Sequence, residues 1–183
     1  KTIKRLSELK ELEISRLFCH TPDCIAIGRK LGFRLHGSFT LNIYNSYSAS
    51  YMKKLGLEDF TVSFEAKLTQ IAKMRREIPL GAVTYGRLPL MLTRNCPIKN
   101  EVGCARCSGS ITDRTGRKFP IVCAKEYVEI LNPNTLLITD KEMCGADFSL
   151  IMLNKETPQQ VRDALSGKRP DGDVTHGLYY RGI

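Results

Sequence analysis

At 183 residues the chain is long enough for one domain with a real core, and its net charge of +9 sets an anionic partner such as RNA beside the plainer reading of a solvated basic surface. No run approaches the roughly eighteen consecutive apolar residues that mark a membrane-spanning helix, so no membrane partner is expected. Seven cysteines, odd in number and unevenly placed, argue against a fully paired disulfide framework and fit thiols kept reduced in a cytoplasm.

Leu6, Leu9 and Leu12 recur every three residues and predict a helix over 7–13. A short buried strand is expected over 14–19 and a helix over 23–31, which Gly32 ends. Residues 33–44 are rich in strand formers and alternate. Ser46 is placed to cap a helix that runs to Gly56, and 59–64 has the two-residue period of a strand. Leu68, Ile71 and Ala72 mark one face of another helix, and 80–85 reads as a strand. This strand–helix rhythm predicts parallel strands with crossover helices, and the absence of a GxGxxG turn favours a (β/α) barrel over a dinucleotide-binding sheet. The rhythm breaks at Pro89. Beyond it, Ile111-Thr112 and 119–122 read as a hairpin around the polar turn Asp113-Arg114-Thr115-Gly116. Strands are expected over 127–131, 135–138 and 148–153. Thr157, Pro158 and Gln160 start a helix with Val161, Ala164 and Leu165 toward the core, Gly167 ends it, and 168–173 is a loop. The expected organisation is β/α repeats over 1–95, a cysteine-rich hairpin insertion over 96–131, and the final strands and helix over 132–183.

Cys96, Cys104, Cys107 and Cys123 have the spacing C-x7-C-x2-C-x15-C. A C-x2-C pair puts two sulfurs on one tight turn, and a hairpin around Gly116 returns Cys123 toward the others, so these four are the expected metal ligands. Arg94, Arg106 and Arg114 are close enough in sequence to offset the charge of a four-thiolate site. Spacing alone leaves zinc and an iron–sulfur cluster both open.

Familiar catalytic motifs are absent: there is no HExxH and no GxSxG, and His20, His36 and His176 lie far apart. Cys19 beside His20 would point to the opposite face of a strand, so Cys19 reads as a small buried hydrophobe. In a barrel the chemistry belongs at the C-terminal strand ends. Those ends carry Asn42 and Asn45, Ser63 and Glu65, and Tyr85 and Arg87. Glu65 and Arg87 are the expected catalytic pair, and Asn42, Asn45, Ser63 and Tyr85 the expected substrate pocket; local caps and turns are the competing reading of all six.

The run Val83-Thr84-Tyr85-Gly86-Arg87-Leu88-Pro89-Leu90, then Arg94-Asn95-Cys96-Pro97, the Cys104/Cys107 pair, Asp113-Arg114 and Phe119-Pro120 with Cys123 resembles the collagenase-like peptidase family, peptidase U-32. Leu41-Asn42-Ile43-Tyr44-Asn45-Ser46, Val62-Ser63-Phe64-Glu65 and the closing Gly177-Leu178-Tyr179-Tyr180-Arg181-Gly182 are similar to the same family. The resemblance covers the later part of the family's catalytic domain, so a preceding part of the same protein, with the early barrel strands, is an expected partner. It implies a TIM-like barrel whose cysteines hold a cluster, [4Fe–4S] in several members. It also implies either peptidase activity on a peptide substrate or, in related branches, oxygen-independent hydroxylation of quinone precursors or RNA bases. Cys96 matches the closing cysteine of the family's motif and Gly86 its glycine, while the motif's acidic residue falls on Gly81 and its earlier cysteine on Pro89. The expected fold is therefore α/β, a partial TIM-like (β/α) barrel with a cysteine-rich β-hairpin insertion, in a protease; a [4Fe–4S] hydroxylase and a zinc-stabilised RNA-binding module are the alternatives.

Overall fold

The structure is a computed structural model and describes residues 2–124, 126–138 and 145–181; Cys144 and Gly182 lie outside them. The chain divides into two compact units, one of residues 1–84, 139–150 and 177–183, the other of residues 85–138 and 151–176.

The first unit is a parallel α/β layer. Helix α1 (Thr2–Glu11) buries none of its residues. Strand β1 (Arg16–Cys19) leads through the cap residue Thr21 into helix α2 (Pro22–Lys30), and then come strand β2 (Arg34–Gly37), helix α3 (Ser46–Leu55), strand β3 (Leu57–Thr61), helix α4 (Leu68–Lys73) and strand β4 (Leu80–Gly86). β1, β2, β3 and β4 lie side by side in that order, and every neighbouring pair is parallel. The β–α–β rhythm requires this, because a strand followed by a packed helix returns beside its predecessor in the same direction. The mixed α/β class with a parallel sheet is thus present. The expected partial barrel is not shown: among the described residues β1 ends the sheet, with β2 as its one neighbour.

Local chemistry sets the boundaries. The strand expected over 33–44 stops at Gly37, because the Ser38 hydroxyl accepts from the Thr40 N–H and opens a 3-10 turn at Phe39–Leu41. Asn42 closes that turn in the left-handed region at φ 52°. Asn45, not Ser46, caps α3: its side chain accepts from the Ser48 N–H at 2.9 Å, and the Ser48 hydroxyl lies 3.3 Å from the Asn45 N–H in a capping box. Gly56 ends the helix at φ 105°.

The core of this unit holds Ile25, Leu35, Ile43, Phe60, Val62, Ile71, Leu80 and Val83. Tyr179 is 1% exposed and donates its hydroxyl to the Val83 carbonyl at 2.8 Å, which explains the closing tyrosine as an anchor of β4; burial pushes its pKa well up. Strand β10 (Phe148–Ile151) pairs with β4. Just before it, Asp147 accepts two hydrogen bonds from Arg76, at 2.9 and 3.0 Å, and one from the Leu80 N–H at 2.8 Å. Those contacts, the guanidinium first, hold its carboxyl below the ordinary value.

The second unit is mainly antiparallel. Strands β5 (Pro89–Thr93), β8 (Val128–Leu131), β7 (Lys118–Cys123) and β6 (Ser110–Thr112) form one sheet in the order β5-β8-β7-β6. The end of β4, at Tyr85 and Gly86, pairs antiparallel with β9 (Thr135–Leu137), and β9 pairs parallel with β11 (Val174–Thr175). Helix α5 (Pro97–Val102) precedes the Cys104–Arg106 turn. Helix α6 (Pro158–Leu165) has the expected capping box of Thr157 and Gln160. Leu165, expected toward the core, is 66% exposed; Ala164 takes the buried position one residue earlier.

Gly81 sits under the Phe148 ring, where an added Cβ would come within 2.1 Å of a ring carbon. Gly81→Ala is therefore expected to cost about 1–3 kcal/mol of stability by overpacking. In a Phe148→Ala background the same change should cost nothing, since alanine is the better strand residue. Urea unfolding of the four proteins measures this, and equal costs in both backgrounds would contradict the packing.

Candidate functional site

The four cysteines of the C-x7-C-x2-C-x15-C pattern all line one cavity of about 380 Å³ in the second unit, with Arg94, Lys99, Ala124, Glu126, Tyr127 and Val128. Each arrives by a different local device. Cys96 is the residue before α5, whose start is fixed by Pro97 at its first position, and the Asn100 N–H bonds the Cys96 carbonyl at 3.1 Å. Gly103, at φ 76°, breaks that helix and lets the chain fold into the Cys104–Arg106 turn. The Cys107 N–H bonds the Cys104 carbonyl at 3.2 Å, so the C-x2-C pair forms the expected tight turn. Cys123 comes from the last position of β7.

These devices rest on a small apolar cluster. Ile98 of α5, Ile121 of β7 and Val128 and Ile130 of β8 are buried together, and Cys96, Val102, Ile111 and Phe119 pack against them. The β6–β7 hairpin pairs Ser110 with Pro120 and Thr112 with Lys118. Its turn is held by Asp113, whose carboxylate accepts from the N–H groups of Thr115 and Arg117 at 2.8 and 3.0 Å.

The Gly109 N–H donates to Cys107 Sγ at 3.4 Å. At Cys123, loss of hydration, then the charges of Cys96 and Cys107, push the thiol's pKa up, and Lys155 partly offsets them. A cation in the cavity would remove the thiolate–thiolate repulsion. Four thiols, with the Glu126 carboxylate on the same cavity, are a donor set of the kind taken by zinc or iron–sulfur clusters. The thiols face one cavity without closing on a point: among the described residues no three His, Cys, Asp or Glu side chains are gathered tightly enough to hold an ion.

The positive charge around the thiols differs from the sequence expectation. Arg94 lines the cavity, but Arg106 is drawn off to the Val102 carbonyl at 3.1 Å, and Arg114 sits in the hairpin turn. Lys99 and Lys155 stand in their place; the Lys155 ammonium bonds the Gly109 carbonyl at 3.2 Å. Lys99 lies three residues after Cys96, on the next helical turn, a signal the sequence carried.

The residues expected at the strand ends are placed as follows. Asn42 and Asn45 end a turn and cap a helix, and Asn45 also lines a cavity of about 290 Å³ in the first unit with Tyr44, Ser46, Thr69, Gln70, Lys73 and Met74. Ser63 is buried, and its hydroxyl accepts from the Glu65 N–H at 3.4 Å. Glu65 lies in the loop after β3, and its carbonyl accepts from the Tyr44 hydroxyl at 3.3 Å. Tyr85 and Arg87 belong to the second unit. Tyr85 is buried, which raises its pKa, and the Arg87 guanidinium donates to the Asn132 carbonyl at 3.2 Å and to that of Pro133. Sequence reasoning missed one pair: His36 Nδ1 lies 2.7 Å from an Asp59 carboxylate oxygen, because β2 and β3 pair these residues. Nothing in a separation of 23 residues announced it.

The model of peptidase family U32 matches residues 1–146, which include the parallel strands β1 to β4 and all four cavity cysteines. The chain belongs to peptidase family U32. Neither the curated proteins nor the solved structures give a match. Among the described residues of this U32 chain no helix is long and apolar enough to cross a membrane.

Ile98→Ala is expected to cost about 2–5 kcal/mol, because it opens a cavity in a cluster with few other members. Hydrogen exchange should show lost protection at Ile121 and Ile130 while Phe60 and Val83 keep theirs. Unchanged protection at Ile121 and Ile130 would contradict the supporting role of the cluster.

Proposed function

We propose that the chain is the later part of the catalytic region of a U32 protease, a partial (β/α) barrel over 1–95 and 132–183 with a cysteine-rich insertion over 96–131. Cys96, Cys104, Cys107 and Cys123 hold an iron–sulfur cluster of the [4Fe–4S] type, or zinc in its place. The observation that carries the ligand assignment is the convergence of these four thiols on one cavity, with a backbone N–H already on Cys107 Sγ. A bound cluster supplies electron transfer and charge at this point, whereas zinc supplies a structural tie. The chain's own groups do the rest. Lys99 and Arg94 balance the thiolates, and Ile98 and its neighbours hold the cysteine-bearing segments at the cavity. Glu65 is the proposed acid–base group toward a peptide substrate, with Asn42, Asn45 and Ser63 of the same unit shaping its pocket; Tyr85 is a proposed substrate contact of the second unit. Arg87, already bonded to two carbonyls, is the proposed positioning residue. Reduced thiols of this kind suit the cytoplasm.

One observation favours a second reading. Four thiols on one cavity are the donor set of electron-transfer clusters more than of hydrolytic metals, which are held mainly by nitrogen and oxygen ligands. This supports an oxygen-independent hydroxylase of quinone precursors or RNA bases as the alternative.

The test uses the full-length protein, purified anaerobically with its metal in place. The protease reading expects cleavage of denatured collagen or unstructured peptides, with kcat falling about a hundredfold or more in Glu65→Gln. No cleavage by the intact protein overturns it. Reductant-dependent hydroxylation would then establish the alternative, and salt-sensitive RNA binding by a zinc-loaded protein without turnover would establish a zinc-stabilised RNA-binding module.

A further inference from the structure

Cys19 and Cys24 are separate from the four-cysteine cavity and belong to the first unit. Cys19 ends β1 and Cys24 lies in the first turn of α2. Gly28 marks where that helix meets the sheet: a Cβ there would come within 2.7 Å of Leu17 and 2.6 Å of Leu35 side-chain carbons. So α2 packs on the face of β1 that carries Leu17. Cys19 is two residues beyond Leu17 and points to the same face. Cys24 is four residues before Gly28 and lies on the same side of the helix. Two strand residues advance the chain by about 6.6 Å, and four helical residues take it back by about 6 Å. Cys24 therefore stands opposite Cys19 as Gly28 stands opposite Leu17. Cys24 is also close enough to act on the Cys19 thiol electrostatically, and that thiol lies 3.8 Å from the Leu17 carbonyl.

The connection between the two cysteines is fixed at both ends. The Thr40 hydroxyl donates to the His20 carbonyl at 2.8 Å, and the Thr21 hydroxyl accepts from the Cys24 N–H at 3.4 Å. Exposure divides the pair: Cys19 is fully buried, whereas Cys24 is partly exposed.

We propose that Cys19 and Cys24 form a reversible disulfide that ties the start of α2 to the end of β1 when the protein meets a peroxide. The exposed member reacts first: the Cys24 sulfur takes one peroxide oxygen, gives a sulfenic acid, and the other oxygen leaves as water. The Cys19 sulfur then attacks the Cys24 sulfur; the S–S bond forms, the S–O bond breaks, and the hydroxyl leaves with the Cys19 proton as a second water. Two thiols lose two electrons and two protons, and one peroxide gains them. Burial, first, and then the neighbouring Cys24 push the Cys19 thiol up to about 12, so it is the neutral thiol whose proton leaves with the hydroxyl. A dithiol reductant reverses the bond.

The pair is read in one tryptic peptide, because no lysine or arginine lies between Leu17 and Arg29. The full chain, with its metal in place, is exposed to hydrogen peroxide, denatured, alkylated and digested. The expected product is the Leu17–Arg29 peptide with both alkylatable thiols lost and its mass lower by two hydrogens, restored to two alkylated thiols by dithiothreitol. In Cys24→Ser, which changes the partly exposed member, Cys19 should remain alkylatable at the same dose. The proposal is overturned if wild-type Cys24 stays a free thiol, is carried to the sulfinic acid while Cys19 remains alkylatable, or is found joined to a cysteine outside this peptide.

Discussion

The burial of Ile98 against Ile121, Val128 and Ile130 is the constraint on which the candidate site depends. Four sulfurs from three separate pieces of chain reach one cavity only because α5, β7 and β8 share this small core. Full burial of an isoleucine side chain is worth about 1.5–3 kcal/mol, so a cluster this small is a modest support by itself. The hairpin ladder between β6 and β7 adds to it, and so does the Lys155–Gly109 contact. An occupant of the cavity would add more, since a group that binds only the folded form stabilises it. That coupling gives a physical reason for four cysteines where the local hydrophobic core is thin.

The first unit obeys a different constraint. Its strands are parallel, so each must be followed by a helix that returns the chain, and each helix must lie close to the sheet. Gly28 and Gly81 are places where the approach leaves no room for a side chain, one on helix α2 against Leu17 and Leu35 and the other under the ring of Phe148. The Cys19–Cys24 contact follows from the same closeness, since a residue at the end of a strand and one in the first turn of the next helix are brought together by the crossover. The described cysteines thus fall into two groups with different physical settings: a strand–helix pair with one buried and one partly exposed member, and a set of partly or fully exposed thiols around a basic cavity.

Much of this was legible in the sequence. The two-residue period of β3 and the glycines that end α2 and α3 gave the parallel arrangement, and Thr157, Pro158 and Gln160 gave the start of α6. The cysteine spacing pointed to the segment whose four thiols line one cavity, though among the described residues no three of them gather tightly enough to hold an ion. Other elements were hidden for identifiable reasons. β5 begins at Pro89 and carries the exposed run Leu90, Met91 and Leu92, so it lacks the alternation that marks a half-buried strand. β11 has two residues, too few for any period. The strand assigned over 33–44 was too long because the Ser38 side chain competes for the backbone, an interaction that propensity does not register. His36 and Asp59 meet through strand register alone. The strand-end residues are distinguished in the sequence only by polarity, which caps and turns share with substrate sites. Asn45 and Arg87 have such local partners.

The proposed metal centre at Cys96, Cys104, Cys107 and Cys123 has a compositional signature. Elemental analysis with acid-labile sulfide determination, on protein purified without oxygen, addresses it most directly. The account predicts iron and sulfide in cluster proportion, with visible absorbance, and the loss of both when any one of the four cysteines becomes serine. Protein that is folded and monodisperse yet contains neither iron nor zinc would contradict it.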